Sequence, residues 1–166
     1  MAVLPIIIGY DQSFRTKCSE VESLDDQTKA FINDMFETMR HNKGCGMAAS
    51  HVGVHKRIVV VDISDDYSNP QAFINPVIIK KSDEANTYKE GSISFPGEYA
   101  DVTRPKEITV KYRDLDWQEC EITADGLLAT CLQHEIDHHD GILFIDQISP
   151  MKRRIILERI KKKYKK

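Results

Sequence analysis

The chain has 166 residues, 41% of them hydrophobic and 30% charged, with a formal net charge of −3. This suits a single ordinary globular domain over 1–166. It excludes a chain built on membrane-spanning helices, because no apolar run approaches the roughly 20 residues a bilayer requires. It also excludes a disulfide scaffold, because Cys18, Cys45, Cys120 and Cys131 show neither C-x-x-C spacing nor framework density.

The opening MAVLPIIIGYDQ carries an apolar patch with no basic segment before it, so it does not resemble a signal peptide. A soluble, cytoplasmic protein with reduced thiols is expected, each cysteine acting as a small buried hydrophobe. Residues 24–43 place Phe31, Ile32, Met35, Phe36 and Met39 on one helical stripe. Ser23, Asp25 and Asp26 serve as start signals and Gly44 as a stop. RIVVVDI (57–63) predicts a strand. AFINPVIIK (72–80) predicts another, bent or at an edge because of Asn75-Pro76. EITVKYRDLD (107–116) alternates with Ile108, Val110 and Tyr112 on one face, and CEIT (120–123) returns after a turn at DWQE.

ADGLLATCLQHEIDHHDG (124–141) switches to helical spacing, and Gly141 is a natural breaker. ILFIDQIS (142–149) is short and apolar. A last helix over about 150–166 sets Met151, Ile155, Ile156 and Ile160 on one face. From Lys152 to Lys166 there are nine Lys and Arg against the single acid Glu158. A basic arm on an acidic body suits either a polyanionic partner or a solvated helix end. The order of helix, antiparallel-looking strands and two helices predicts an α+β fold.

Within QHEIDHHDG (133–141), His134, Glu135 and His138 form H-E-x-x-H. On a helix, residues i and i+4 share a face, so both imidazoles can point at one ion. Glu135 lies beside them and can move a proton for a water that the ion activates. The bland alternative is a polar helix end around a satisfied core histidine. His139 and Asp137 fit outward or supporting positions better than ligation, and Asp140 reads as a turn residue. A catalytic site of this class needs three protein ligands and an open position. No third histidine follows at metzincin spacing, so the third ligand must come from elsewhere in the chain.

Two more stretches, GCGMAASHVGVHKRIVVVD (44–62) and EGSISFPGEYADVTRP (90–105), stand before this helix. Together the three resemble the signature motifs of the peptide deformylase family, G-x-G-[hydrophobic]-A-A-x-Q, E-G-C-[hydrophobic]-S and H-E-x-D-H. The likeness runs through roughly residues 3–160. It implies an α+β fold with three mixed sheets around a central metal-binding helix, and a further C-terminal helix. It implies removal of the N-formyl group from N-formylmethionyl peptides by a cytoplasmic, monomeric enzyme. It also implies one divalent ion, ferrous iron with Zn²⁺, Ni²⁺ or Co²⁺ as substitutes. Bacterial members visit the ribosome through a C-terminal helix, which residues 150–166 resemble.

Residue by residue, the resemblance assigns the metal to Ser92, His134 and His138, and catalysis to Glu135, the backbone N–H of Ile93 and His51. Cys45, Gly46 and Arg104 fall beside the substrate, with a surface ion pair as the other reading of Arg104. Met47, Ile93, Cys131 and the His134 side chain would form the methionine pocket, or Met47 and Cys131 ordinary core. Glu90 would hold the 90–94 strand through a basic or polar partner. Two positions depart from the family pattern. Ser92 stands where the family has cysteine, and His51 where it has glutamine. A thiol in a cationic site binds as thiolate, whereas a serine hydroxyl is a weak neutral donor. His51 can donate to an oxyanion from a new position, or itself join the ion. An impaired relative that binds peptides or ribosomes, and an amidase for another acyl group, remain alternatives.

Overall fold

The computed structural model describes residues 2–165; Met1 and the final Lys166 of the basic arm lie outside the described residues. Helix α1 (Asp26–His41) starts at Asp25, whose carboxylate accepts the Thr28 N–H at 2.7 Å. It ends before Gly44, through Asn42 and a left-handed Lys43. Its stripe of Ile32, Met35, Phe36 and Met39 is buried.

Strands β1 (Gly46–Ala48), β2 (Ile58–Val61), β3 (Gln71–Lys81), β6 (Glu107–Arg113) and β7 (Glu119–Asp125) form one antiparallel sheet in the order β1-β2-β3-β6-β7. Strands β4 (Ala85–Ser92) and β5 (Phe95–Pro105) pair separately as a hairpin. Among the described residues there are thus two antiparallel sheets, not three mixed ones, and the one parallel contact is the isolated Ser19–Lys56 bridge.

The large sheet is covered on both faces, which explains the unbroken IVVV of β2. Ile58 and Val60 pack with α1, while Val59 and Val61 pack with Ala129, Leu132 and Ile136 of helix α2 (Gly126–His138). Strands buried on both sides read as continuous apolar runs, because neither face requires polarity. β3 bends as its Asn-Pro pair suggests. Its register with β6 shifts between Ile74 and Val77, Asn75 has φ 52°, and its side chain exchanges 2.8 Å hydrogen bonds with the Val21 backbone. The bend lies inside the sheet, not at an edge.

The third side is closed by a 3₁₀ turn at Phe144–Gln147 and helix α3 (Pro150–Tyr164), with Phe14, Phe95, Val102, Phe144, Ile156 and Ile160 in contact. α3 buries Ile156 and Ile160, whereas Met151 and Ile155 are exposed, so its apolar face is narrower than the spacing suggests. No described helix is long and apolar enough to cross a membrane.

Candidate metal centre

α2 is the axis of the site. Asp125 precedes it and Gly141, at φ 75°, follows it; a Cβ on Gly141 would lie 2.9 Å from the Arg15 carbonyl oxygen. Thr130, Cys131, His134, Glu135 and His138 are all buried along it.

His134 is held from the hairpin side. Its Nδ1 donates to Glu90 Oε1 at 2.8 Å, which leaves Nε2 free of that task. Arg104 grips the same Glu90 through Nε and Nη2 at 2.7 and 3.0 Å and reaches Asp137 through Nη1 at 2.9 Å. Burial pushes the Glu90 carboxyl up, but His134 and Arg104 outweigh it and keep the group ionised below its ordinary range. Burial lowers the His134 pKa, yet the Glu135 charge and the Glu90 hydrogen bond raise it overall. The Phe144 ring stacks on His134 at 5.5 Å.

His138 has the opposite surroundings. It is 1% exposed, and among the described residues neither ring nitrogen has a hydrogen-bond partner. Burial, reinforced by His51 and His134, holds its pKa well below the usual value, so the ring is neutral and offers a lone pair. His51 sits on a 3₁₀ turn at Ala49–Val52, its ring 4.3 Å from that of His138. Its Nδ1 lies 2.6 Å from Ser94 Oγ and its Nε2 3.1 Å from Glu135 Oε1. Phe14 stands edge-on to both imidazoles. Burial raises the Glu135 pKa, but the His134 charge and the His51 hydrogen bond hold the carboxyl below its ordinary range.

Donor atoms of His51, Glu135 and His138 all lie within 4.8 Å of one another. A buried neutral imidazole with two unpartnered nitrogens, beside a carboxylate and a second imidazole, fits a divalent ion. His134 lies outside this trio but adjoins it, its ring 5.6 Å from that of His138. Ser92 is half-buried at the end of β4, where its hydroxyl accepts the Ser94 N–H at 3.1 Å.

A cleft of about 460 Å³ opens in front of this cluster. Cys45, Gly46, Ser92, Ile93, His134 and Glu135 line it, while His51 and His138 lie behind the wall. A Cβ on Gly46 would meet Cys131 Sγ at 2.5 Å and Glu135 Cγ at 3.0 Å, so the missing side chain lets β1 pass close to α2. Arg104 is neither in the cleft nor on the surface. It is 6% exposed and aims His134 through Glu90.

Met47 belongs to the core, whereas Cys131 lines the cleft. Cys18 and Cys131 are buried as expected, but Cys45 is exposed and Cys120 half-buried. His139 is not outward. It is fully buried, which lowers its pKa to about 4. Asp137 emerges as the second anchor of Arg104; its position three residues after His134 was the available signal. Nothing in the spacing points to Phe14 or Phe144 as walls for the histidines, because Phe14 is remote in sequence and Phe144 follows α2 beyond the Gly141 break, outside its helical period.

The family model for polypeptide deformylase matches residues 3–154. A peptide deformylase 2 of Xanthomonas axonopodis pv. citri is 48% identical over 168 residues, 99% of this chain and 98% of its own. A peptide deformylase 1 of Pseudomonas syringae pv. tomato is also 48% identical, over 99% and 98%. The crystal structure of peptide deformylase from Ehrlichia chaffeensis in complex with actinonin has a TM-score of 0.96 at 41% identity, covering 100% of both chains. That of a peptide deformylase from Legionella pneumophila has a TM-score of 0.92 at 40% identity, over 97% and 95%. With a metal-fitting cluster between the H-E-x-x-H helix and the His51 turn, and this likeness along nearly its whole length, the chain belongs to the polypeptide deformylase family.

Proposed function

We propose that this chain is a metal-dependent hydrolase that removes the N-formyl group from N-formylmethionyl peptides and releases formate. The observation that carries the reading is His138, buried with both nitrogens unpartnered, beside a Glu135 that lines the cleft. His134 through Nε2, His138 and a third donor would hold the ion, ferrous iron first, with Zn²⁺, Ni²⁺ or Co²⁺ as substitutes. When bound, the ion supplies Lewis acidity toward a water and the formyl oxygen.

Glu135 takes a proton from the attacking water and delivers it to the departing amine as the C–N bond breaks. The Ile93 N–H stabilises the negative charge on oxygen, joined by His51 where Ser92 is the third donor. Cys45, Gly46 and Ile93 receive the peptide along the cleft. Arg104 acts as a positioning residue, fixing Glu90 and through it the His134 ring.

The third donor is Ser92 or His51. Ser92 follows the motif. His51 is favoured by its position within 4.8 Å of donor atoms on Glu135 and His138. We place the enzyme in the cytoplasm as a monomeric domain, with the basic face of α3 meeting the ribosome. Deleting α3 would expose the core around Ile156 and Ile160, so Lys161, Lys162 and Lys163 changed together to Glu are the proper test. The variant should lose salt-sensitive co-sedimentation with ribosomes; unchanged co-sedimentation would remove this partner.

Formate release from a formyl-Met peptide, with Fe²⁺, Ni²⁺ and Zn²⁺ added anaerobically in turn, tests the activity. Metal-dependent turnover is expected, and Ser92→Cys should tighten metal binding by about tenfold or more through its thiolate. Failure with every metal, together with recovery in Ser92→Cys, would point to an impaired relative. Turnover of another N-acyl peptide alone would point to a different amidase.

A further inference from the structure

Cys45 and Cys131 are 86 residues apart in sequence, yet their sulfurs lie 3.4 Å apart in the wall of the cleft. Cys45 leads into β1 and is exposed; Cys131 lies on α2, 5% exposed, one turn before Glu135. Gly46 has no side chain to hold the two elements apart. Cys18 is buried, and Cys120 Sγ lies 3.4 Å from an Asp114 carboxylate oxygen rather than beside a thiol.

We propose that Cys45 and Cys131 are a redox modification site, which peroxides convert to a disulfide that ties β1 to α2 and closes the substrate cleft. A disulfide needs its sulfurs at about 2.05 Å, so they must close by roughly 1.4 Å, within reach of side-chain rotation where no side chain intervenes. The exposed Cys45 sulfur attacks the O–O bond of hydrogen peroxide. Sulfenic acid forms and the departing hydroxide is protonated to water. The Cys131 sulfur then attacks the Cys45 sulfur, the S–O bond breaks, and a second water leaves with the Cys131 proton. Two thiols and one peroxide thus give one disulfide and two waters. A dithiol reductant reverses the change.

The link would fix the cleft wall at Gly46 against α2 beside Glu135. That consequence rests on the cleft being the peptide site; the link itself does not.

The test uses the full chain loaded with Zn²⁺, which does not cycle with peroxide. After hydrogen peroxide, the intact mass should fall by about 2 Da and free thiols from four to two. Peptide mapping should join positions 45 and 131. Turnover of a formyl-Met peptide should fall by about tenfold or more and return with dithiothreitol. Cys131→Ser should show no such link and keep the rate of its own untreated sample, whereas Cys120→Ser should respond as the parent does.

A link through Cys18 or Cys120, or sulfinic acid at Cys45 without a link, would overturn the site. A 45–131 link with undiminished turnover would overturn the closure. If untreated protein has no turnover, the proposed function fails, while the mass and peptide map still test the link.

Discussion

The two flanks of α2 differ in what they leave unfinished. On the hairpin side, His134, Glu90, Arg104 and Asp137 form a closed chain in which each group has a partner within 3.0 Å. On the other side, His51 bridges Ser94 and Glu135, but among the described residues His138 has no hydrogen-bond partner. Burial disfavours charge on both helix histidines. Only His134 has a carboxylate in hydrogen-bond contact to offset it. The closed flank aims a ligand; the open flank waits for a guest. A buried polar atom without a partner costs about 1–3 kcal/mol, a penalty that an ion would relieve.

Breaking the chemistry gives the largest effect. Glu135→Gln keeps the shape and a hydrogen-bond partner for His51 but removes the proton carrier. Turnover should fall about 10²–10⁴-fold, with folding and metal content retained. A variant within about threefold of the parent would take Glu135 out of the mechanism.

The closed flank should fail through stability. Arg104→Met leaves Glu90 buried with only His134 to answer it, and should cost about 3–5 kcal/mol by denaturant unfolding, with or without metal. The open flank should fail through binding. His138→Gln should change metal-free stability much less, but abolish the stabilisation that metal provides. That term is about 2.7 kcal/mol at a free metal concentration 100 times Kd. If the metal-dependent rise in Tm survives in His138→Gln, the two flanks do not differ as described.

The same division marks what was legible in the sequence. α1, β2, β6 and α2 carry apolar periods strong enough to place them, because each buries a stripe or face, and β7 is placed by its alternation and the turn before it although only Ala124 in it is buried. The β4–β5 hairpin does not. β4 reads ANTYKEGS, polar along most of its length with just Glu90 buried in it, and β5 contains Pro96 and Pro105; the sequence suggests only a short 90–94 strand here, whereas β4 runs back to Ala85 and ends at Ser92. His134, Glu135 and His138 were readable from helical spacing, because their geometry is local. The partnership of His134 with Glu90, 44 residues away, and the approach of His51 to Glu135, 84 residues away, depend on tertiary packing that no local period encodes. Arg104 illustrates the cost. An arginine beside a proline suggests a cleft or surface role until the fold buries it against two acids.

The smallest effect serves as a control on neither flank. Asp146, in the 3₁₀ turn before α3, accepts from Arg15, Arg153 and the Leu143 N–H. Burial raises its pKa, but the Arg15 and Leu143 hydrogen bonds outweigh it, so the folded value lies below the ordinary one. A carboxyl depressed on folding adds stability above its unfolded pKa, near 3.9, and loses it as pH falls through the lower folded value. Asp146→Asn should therefore cost about 1–2 kcal/mol at neutral pH, since both arginines are partly solvated. In thermal melts the gap to the parent should hold steady from neutral pH to about 5 and narrow below about 4. The metal-dependent rise in Tm should be the same in both proteins. A lost metal response would instead tie the α3 side to the open flank, and a gap that widened in acid would reverse the assigned direction of the Asp146 shift.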